Sequence, residues 1–419
     1  MSDAGMSVAA SQLSARQEWA AGWPTLLAAT CGMVMSAYTT YVLGFLIAPL
    51  QQQFGWTRGE ISSALAIVAI VGFLIFPVVG RWVDRRGARR IALQGTVLCG
   101  ALLALIGLVT NGSLVVWWLS WAIFTVGYAM VNPTVWAKAV SGHFVAGRGM
   151  ALGVMMCGAA LGALILPQIA RWGVDNFGWR QAIAIYGIAP AAAVFVLVLL
   201  LLRDHAPAPN ANGDEPSVMP GYTFAEAIRS SAVIKILVSV TVLMFVVVGS
   251  VVHMVPLLIE TGMSRLLAAA ALSVYGMASL VTKLVCGWLS DRGAGSSLGA
   301  LTFVTPAVAC ALLLAAGGSP AWASCALTFF GIAAGAGLQM SAYLLSSYAG
   351  MRSFGQVYGL CAGLMSVAGG FGPLLVGMIY DATGSYSRWL VAGIPLGLLT
   401  GGLMASLGPR PQFEPAPSA

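Results

Sequence analysis

Charge is what this sequence has least of. Only 8% of its 419 residues are Asp, Glu, Lys or Arg, where a soluble domain carries about 25%. Hydrophobic residues make up 59%, more than one core can hide, so lipid has to be the solvent for most of the chain. Other shortages narrow the chemistry. There is no Walker-type phosphate loop, no Cys/His metal cluster and no convincing Ser/His/Asp set, so no enzyme, metal or cofactor is expected. ATP-driven transport has no sequence support either, and an ion or substrate gradient is the expected driving force. The seven cysteines all fall in apolar segments, without metal-ligand or disulfide spacing, and read as small packing residues. The first twenty residues lack the apolar core of a cleavable signal peptide and read as a short tail.

What the chain has is apolar length. Twelve stretches, roughly 22–50, 58–81, 91–110, 113–140, 149–171, 180–202, 232–258, 266–290, 298–316, 321–347, 354–380 and 387–407, are long enough to cross a bilayer. An even number of crossings leaves both ends on one side. With that side taken as cytoplasmic, twelve basic residues face it: Arg16, Arg81, Arg85, Arg86, Arg89, Arg90, Arg148, Arg203, Arg229, Arg292, Arg352 and Arg410. Five face outside: Arg58, Arg171, Arg180, Arg265 and Arg388. This is the positive-inside bias. The formal charge of +7 therefore reports topology, and no nucleic-acid partner is expected.

The longest polar stretch inside the chain, 203–230, is rich in Pro, Asn, Gly and acidic residues and reads as a cytoplasmic linker. It separates a six-helix unit over 22–202 from a second over 231–407, with tails at 1–21 and 408–419. The two units repeat each other. "GRWVDRRG" starts at Gly80 and "GWLSDRG" at Gly287, while "GWTR" starts at Gly55 and "GMSR" at Gly262, both pairs 207 residues apart. Parallel six-helix repeats are a transporter architecture with the substrate site near the midplane. The expected fold is therefore an all-α polytopic membrane protein, twelve transmembrane helices in two pseudo-symmetric bundles.

"GRWVDRRGARR" (Gly80–Arg90) resembles the signature loop of the major facilitator superfamily. The resemblance implies a cytoplasmic gating motif at Gly80, Asp84, Arg85, Gly87 and Arg90, repeated at Gly287, Asp291 and Arg292, with Gly293 following and no trailing basic pair. It implies a monomeric secondary transporter working by alternating access. "HFVAGRGMALG" (His143–Gly153) is similar to a stretch of the monocarboxylate and oxalate–formate transporter group through Phe144, Arg148, Ala151 and Gly153, and "HMVPLLIETGMS" (His253–Ser264) also looks like bacterial members of that group. That narrower resemblance implies a substrate-binding cation in span eight, where this chain has Lys283. Ser279 stands where monocarboxylate carriers often have an aspartate, and span eleven carries no second cation.

Lys283 is the residue that asks for an explanation. A cation deep in a bilayer costs roughly 2.5–3.5 kcal/mol on insertion scales. All thirteen Asp and Glu lie in tails, loops or span ends, so none neutralises it. A water-filled cavity, hydroxyl and carbonyl partners, deprotonation or an anionic substrate would compensate it, and snorkelling to the surface is the structural alternative. Tyr275, Ser279 and Lys283, spaced i, i+4, i+8, share one helix stripe. Tyr38, Tyr41, Tyr128, Asn132, Gln339 and Tyr343 fall on the spans that line the cavity in the superfamily and complete the candidate substrate site. Lys283 and His253 are the candidates for proton coupling. Lys138, near the end of its span, reads as a snorkelling lysine. Gly153, Gly158 and Gly162 in span five, and Gly359, Gly363, Gly369, Gly370 and Gly372 in span eleven, predict close helix contacts between the halves.

The favoured reading is a bacterial inner-membrane symporter of a small organic monoanion, a monocarboxylate first, with both termini cytoplasmic, the lipid bilayer as its surroundings and protons as the candidate coupling ion. An efflux or siderophore-type permease with a structural Lys283 stays open, as does a substrate-sensing receptor on the same scaffold.

Overall fold

The computed structural model describes residues 15–203, 220–260 and 262–413. The middle of the expected linker, 204–219, lies outside the described residues.

The chain is a bundle of helices. Span one is α1 (Ala15–Gly32), a 3₁₀ turn (Met33–Ala37) and α2 (Tyr38–Phe54); span two is α3 (Arg58–Arg86) and span three α4 (Ala88–Val109). Span four comprises α5 (Leu114–Ala129) and α6 (Pro133–His143), span five α7 (Arg148–Met156) and α8 (Gly158–Phe177), and span six α9 (Trp179–Leu201). A lead-in, α10 (Phe224–Ala227), precedes span seven, made of α11 (Ser231–Val252) and α12 (Met254–Glu260). Span eight is α13 (Arg265–Leu289), followed by a π turn (Ser290–Ala294); span nine is α14 (Gly295–Phe303) with α15 (Thr305–Ala315). Spans ten to twelve are α16 (Pro320–Tyr348), α17 (Phe354–Thr383) and α18 (Ser387–Ala405). Among the described residues, eleven helical stretches are individually long and apolar enough to cross a membrane. The remaining crossing, span five, is interrupted at Cys157.

The interruptions have local causes. Pro133 cannot donate to the turn before it, so span four breaks there and the Asn132 side chain accepts the Thr134 N–H at 3.0 Å. Span seven breaks at His253, just before Pro256. Gly87 (φ 83°) and Gly293 (φ 91°) make the repeat-related turns after spans two and eight in a left-handed conformation that side chains resist. The first helix starts at Ala15, ahead of the hydropathy boundary, and carries the buried Glu18.

Helices with apolar neighbours on every side gain little from hydrophobicity and associate through close packing of small residues. Between the halves this happens at the end of the bundle that holds Ala15, Arg203 and Phe413, termed here the tail end. A β-carbon at Gly149 (α7) would sit 2.6 Å from the Gly287 carbonyl (α13), and one at Gly287 only 2.7 Å from the Gly149 carbonyl. The repeat-related pair, Gly80 (α3) and Gly355 (α17), meets backbone to backbone in the same way. The α3–α17 contact continues through Gly359 and Gly363, which face Phe76 and Phe73. The linker's last residues and the C-terminal segment fold onto the same end. Gly221 bridges Gly350, Tyr222 packs edge-on to Phe413, and Tyr348 donates to the Gly408 carbonyl.

Candidate functional site

Two aspartates close the tail end. Asp84, at the end of α3, accepts the N–H groups of Gly355 and Gln356, both at 2.9 Å, at the start of α17. Asp291 accepts those of Gly149 (2.6 Å) and Met150 (2.9 Å) at the start of α7. Each half thus caps a helix of the other with a carboxylate, where unpaired N–H groups and the helix dipole favour negative charge. The glycine crossings make this possible, because any side chain at Gly80 or Gly287 would hold the capped helix away. Lys138 adds a third link: its ammonium pairs with Asp84 at 2.8 Å and donates to the Met351 carbonyl at 2.7 Å. The snorkelling expected of Lys138 is therefore replaced by an ion pair within the first half and a hydrogen bond across to the second. Arg148 donates through Nη1 to the Ser346 hydroxyl at 3.3 Å, and Gln339 through Nε2 to the Gly149 carbonyl at 3.0 Å.

Glu18 supports this layer from behind. Its carboxylate accepts N–H groups from Val145, Ala146 and Gly147 at 3.0–3.1 Å, fixing the loop that leads into α7. Hydropathy could not flag it, because a helix that begins with polar residues reads as a tail. Of the expected gating residues, Gly80, Asp84, Gly287 and Asp291 lie in this layer and Gly87 forms its turn. Arg85 and Arg90 are exposed, and Arg292 stacks on Trp288 at 3.7 Å.

Lys283 lies directly beyond the closed layer. α13 runs towards the tail end, and side chains lean towards a helix's N-terminus, so Lys283 points away from the tail end and into the bundle. Below it, its own carbonyl faces Gly153, where a β-carbon would be 2.5 Å away, and the Gln339 amide fills the same crossing. Cys157, one turn further along span five at the break, is its electrostatic neighbour. Among the described residues Lys283 has no hydrogen bond or ion pair. The Gln339 Oε1 atom, buried in the same crossing, has no partner either.

The other expected residues divide. Tyr275 and Ser279 share the Lys283 stripe of α13, and their backbones pack against Gly331 and Gly335 of α16. Gln339 and Tyr343 form the floor below Lys283, Tyr343 donating to the Ser290 carbonyl at 2.8 Å. Tyr128 donates to the Ser36 carbonyl at 2.9 Å, at the 3₁₀ turn of span one, and receives Thr39 at 3.5 Å. Tyr38 turns away from Lys283: its hydroxyl donates to Gly187 of span six at 3.0 Å, and its ring packs on Tyr186. Asn132 is occupied as a helix cap. The Tyr41 side chain lies outside what is described. His253 is far from the tail end. Its Nε2–H donates to the Pro373 carbonyl at 3.0 Å, and its Nδ1 accepts the Tyr386 hydroxyl at 3.4 Å. Burial pushes the Tyr386 phenol up, which keeps it a donor.

Known proteins resemble this chain in sequence and fold. The chain is 27% identical over 393 residues to human monocarboxylate transporter 11, covering 89% of this chain and 80% of that one. It is 27% identical over 372 residues to the probable nitrate/nitrite transporter NarK2 of Mycobacterium tuberculosis, covering 85% of this chain and 89% of that one. Among solved structures, the human organic anion transporter MFSD10 superposes with a TM-score of 0.71 at 16% identity, over 91% of this chain and 99% of that one. The E. coli fucose:proton symporter superposes at 0.69 and 14%, over 92% and 98%. The family model of the Major Facilitator Superfamily matches residues 29–373. The chain belongs to the Major Facilitator Superfamily and is a multi-pass membrane transporter.

Proposed function

We propose that this transporter carries a small organic monoanion, a monocarboxylate first, and that the substrate's carboxylate pairs with Lys283. One observation carries the reading: an ammonium without a counter-charge among the described residues, turned into the bundle just beyond a closed gate. A buried, unpaired charge is costly, and a bound carboxylate removes that cost while giving the cation a task. The names of the relatives, a monocarboxylate transporter and an anion transporter of similar fold, support the same class. A second reading is an inorganic oxyanion such as nitrate, favoured by the equally extensive match to the M. tuberculosis protein.

In this reading the two halves, 22–202 and 231–407, rock about the site as one monomer. The tail end is cytoplasmic by the positive-inside bias, and the membrane is a bacterial inner membrane. The structure then represents the carrier closed to the cytoplasm. Protons enter through Lys283, through His253 or with the substrate itself. His253 has both ring nitrogens occupied, so its protonation would turn Nδ1 from acceptor to donor and reverse the hydrogen bond with the Tyr386 hydroxyl.

The test is uptake of labelled acids and of nitrate into proteoliposomes, with and without an imposed pH gradient. Lys283→Gln is expected to weaken uptake about 10- to 150-fold, the worth of a charge-assisted hydrogen bond of roughly 1.5–3 kcal/mol. Lys283→Arg should retain part of it. A folded Lys283→Gln variant that transports normally, or a panel in which no anion moves, would end this reading.

A further inference from the structure

Four arginines that follow Asp84 in the first repeat motif are left over by the gate. Arg85, Arg86 and Arg90 are exposed and make no hydrogen bond or ion pair among the described residues. Arg89 reaches sideways, its Nη2 donating to the Leu199 carbonyl of α9 at 2.9 Å. That carbonyl is one of the last in α9, where no helical donor remains for it. The second repeat has Asp291 and Arg292 but no trailing basic pair, so gating alone does not require Arg86, Arg89 or Arg90.

Just inward of the Arg89–Leu199 bridge, α4 and α9 part to leave a groove on the lipid-facing surface. It consists of two adjoining hollows of about 410 and 660 Å³ that share Val97, Ala101 and Phe195. Its depth comes from small residues: Gly100 and Ala101 on α4 face Ala191 and Ala192 on α9, with Val97 and Phe195 as walls. A β-carbon at Gly100 would lie only 2.8 Å from that of Ala191, so the floor is as low as two helices allow. Arg90, Gln94, Val97 and Ala101 follow one another at i, i+4, i+7 and i+11, on one helix face. A guanidinium therefore stands at the tail-end mouth of an apolar channel, beside Arg89 and the exposed Arg203 that follows α9.

We propose that this groove binds one anionic phospholipid. An acyl chain lies along the small-residue floor, and the phosphate sits between Arg89 and Arg90 with Arg203 alongside. The groove alone would accept any lipid tail. The charge selects the headgroup, because a phosphodiester presents acceptors that match the guanidinium fork. An anionic lipid also brings no cation of its own into a site that already holds three, and basic residues at a bilayer surface draw anionic lipid in this way.

Native mass spectrometry of the purified full chain, titrated with phosphatidylglycerol and with phosphatidylcholine of identical tails, tests this. The first lipid to bind is expected to be phosphatidylglycerol by preference. Arg90→Gln, at an exposed position that leaves folding alone, should weaken it about fivefold, and Arg89→Gln with Arg90→Gln about 25-fold. Ala101→Phe fills the groove without touching charge and should weaken both lipids. Equal binding of the two lipids, or indifference to the arginine changes, overturns the proposal. So does wild-type binding by Ala101→Phe, which would mean diffuse attraction with no groove. A dimer that excludes lipid would assign the face to a second copy. A preference that appears only once Asp204, Asp214 and Glu215 are neutralised would assign the arginines to the chain's own linker.

Discussion

Replacing Asp84 by Asn should open the tail end. The side chain is 9% exposed and accepts two backbone N–H groups at 2.9 Å as well as the Lys138 ammonium at 2.8 Å. Asn keeps one acceptor and turns an amide N–H₂ towards the second N–H, so one charge-assisted hydrogen bond, worth roughly 1.5–3 kcal/mol, is lost. The favourable meeting of carboxylate and helix N-terminus, about 0.3–1 kcal/mol, goes with it. Lys138 still has the Met351 carbonyl, which limits its share of the loss. A total of about 2–3 kcal/mol lowers the ratio of tail-closed to tail-open carrier roughly 30- to 150-fold. Hydrogen exchange reads this directly. Amides at 354–358 should lose protection by that factor, and amides at 148–152, capped by the other aspartate, should lose protection with them, because one opening frees both. Exchange confined to 354–358 would mean that Asp84 is only a local helix cap, and unchanged exchange would mean that the contact contributes nothing to closure.

Gly287→Val should produce the same exchange pattern by a steric route. Its β-carbon would fall 2.7 Å from the Gly149 carbonyl and 2.9 Å from the Met150 Cα, and overpacking of this kind costs about 1–3 kcal/mol; normal protection in a folded variant would show that the helices can separate without opening the gate. Under the monoanion reading, the empty carrier has to move with Lys283 unpaired while the loaded one does not, so labelled-substrate exchange across proteoliposomes should outpace net uptake at least tenfold. Lys283→Gln should narrow that gap, and equal rates of exchange and net flux in wild type would count against substrate neutralisation of the lysine.

What was legible in the sequence is what depends on composition and repetition. Twelve apolar stretches, an offset of 207 residues between two motif pairs and an aspartate in each repeat lead to the fold and to the two carboxylates that close it. What was not legible depends on residues distant in the chain. Tyr38 and Tyr128 sit on cavity spans as expected, yet their hydroxyls answer to the carbonyls of Gly187 and Ser36. No helical spacing encodes such pairs, because a tyrosine's direction is set by where the neighbouring helix breaks. Lys138 and Lys283 look alike in sequence, each a lone cation in an apolar run. Lys138 finds Asp84 on another helix of its own half and the Met351 carbonyl on the other half, and only tertiary packing brings these groups together.

That difference between the lysines ties the gate to the site. Among the described residues, the carboxylates of the closed layer are engaged with backbone donors or with Lys138: Glu18 with the loop before α7, Asp84 with α17, Asp291 with α7. Moving one of them towards Lys283 would uncap a helix and loosen the closure that separates the site from the tail end. The same low acid content that marks the chain as a membrane protein therefore leaves Lys283 without an internal counter-charge among the described residues. Under the monoanion reading, a counter-charge delivered by cargo would neutralise that lysine and leave all three carboxylate contacts in place, which an internal aspartate drawn from this layer could not do.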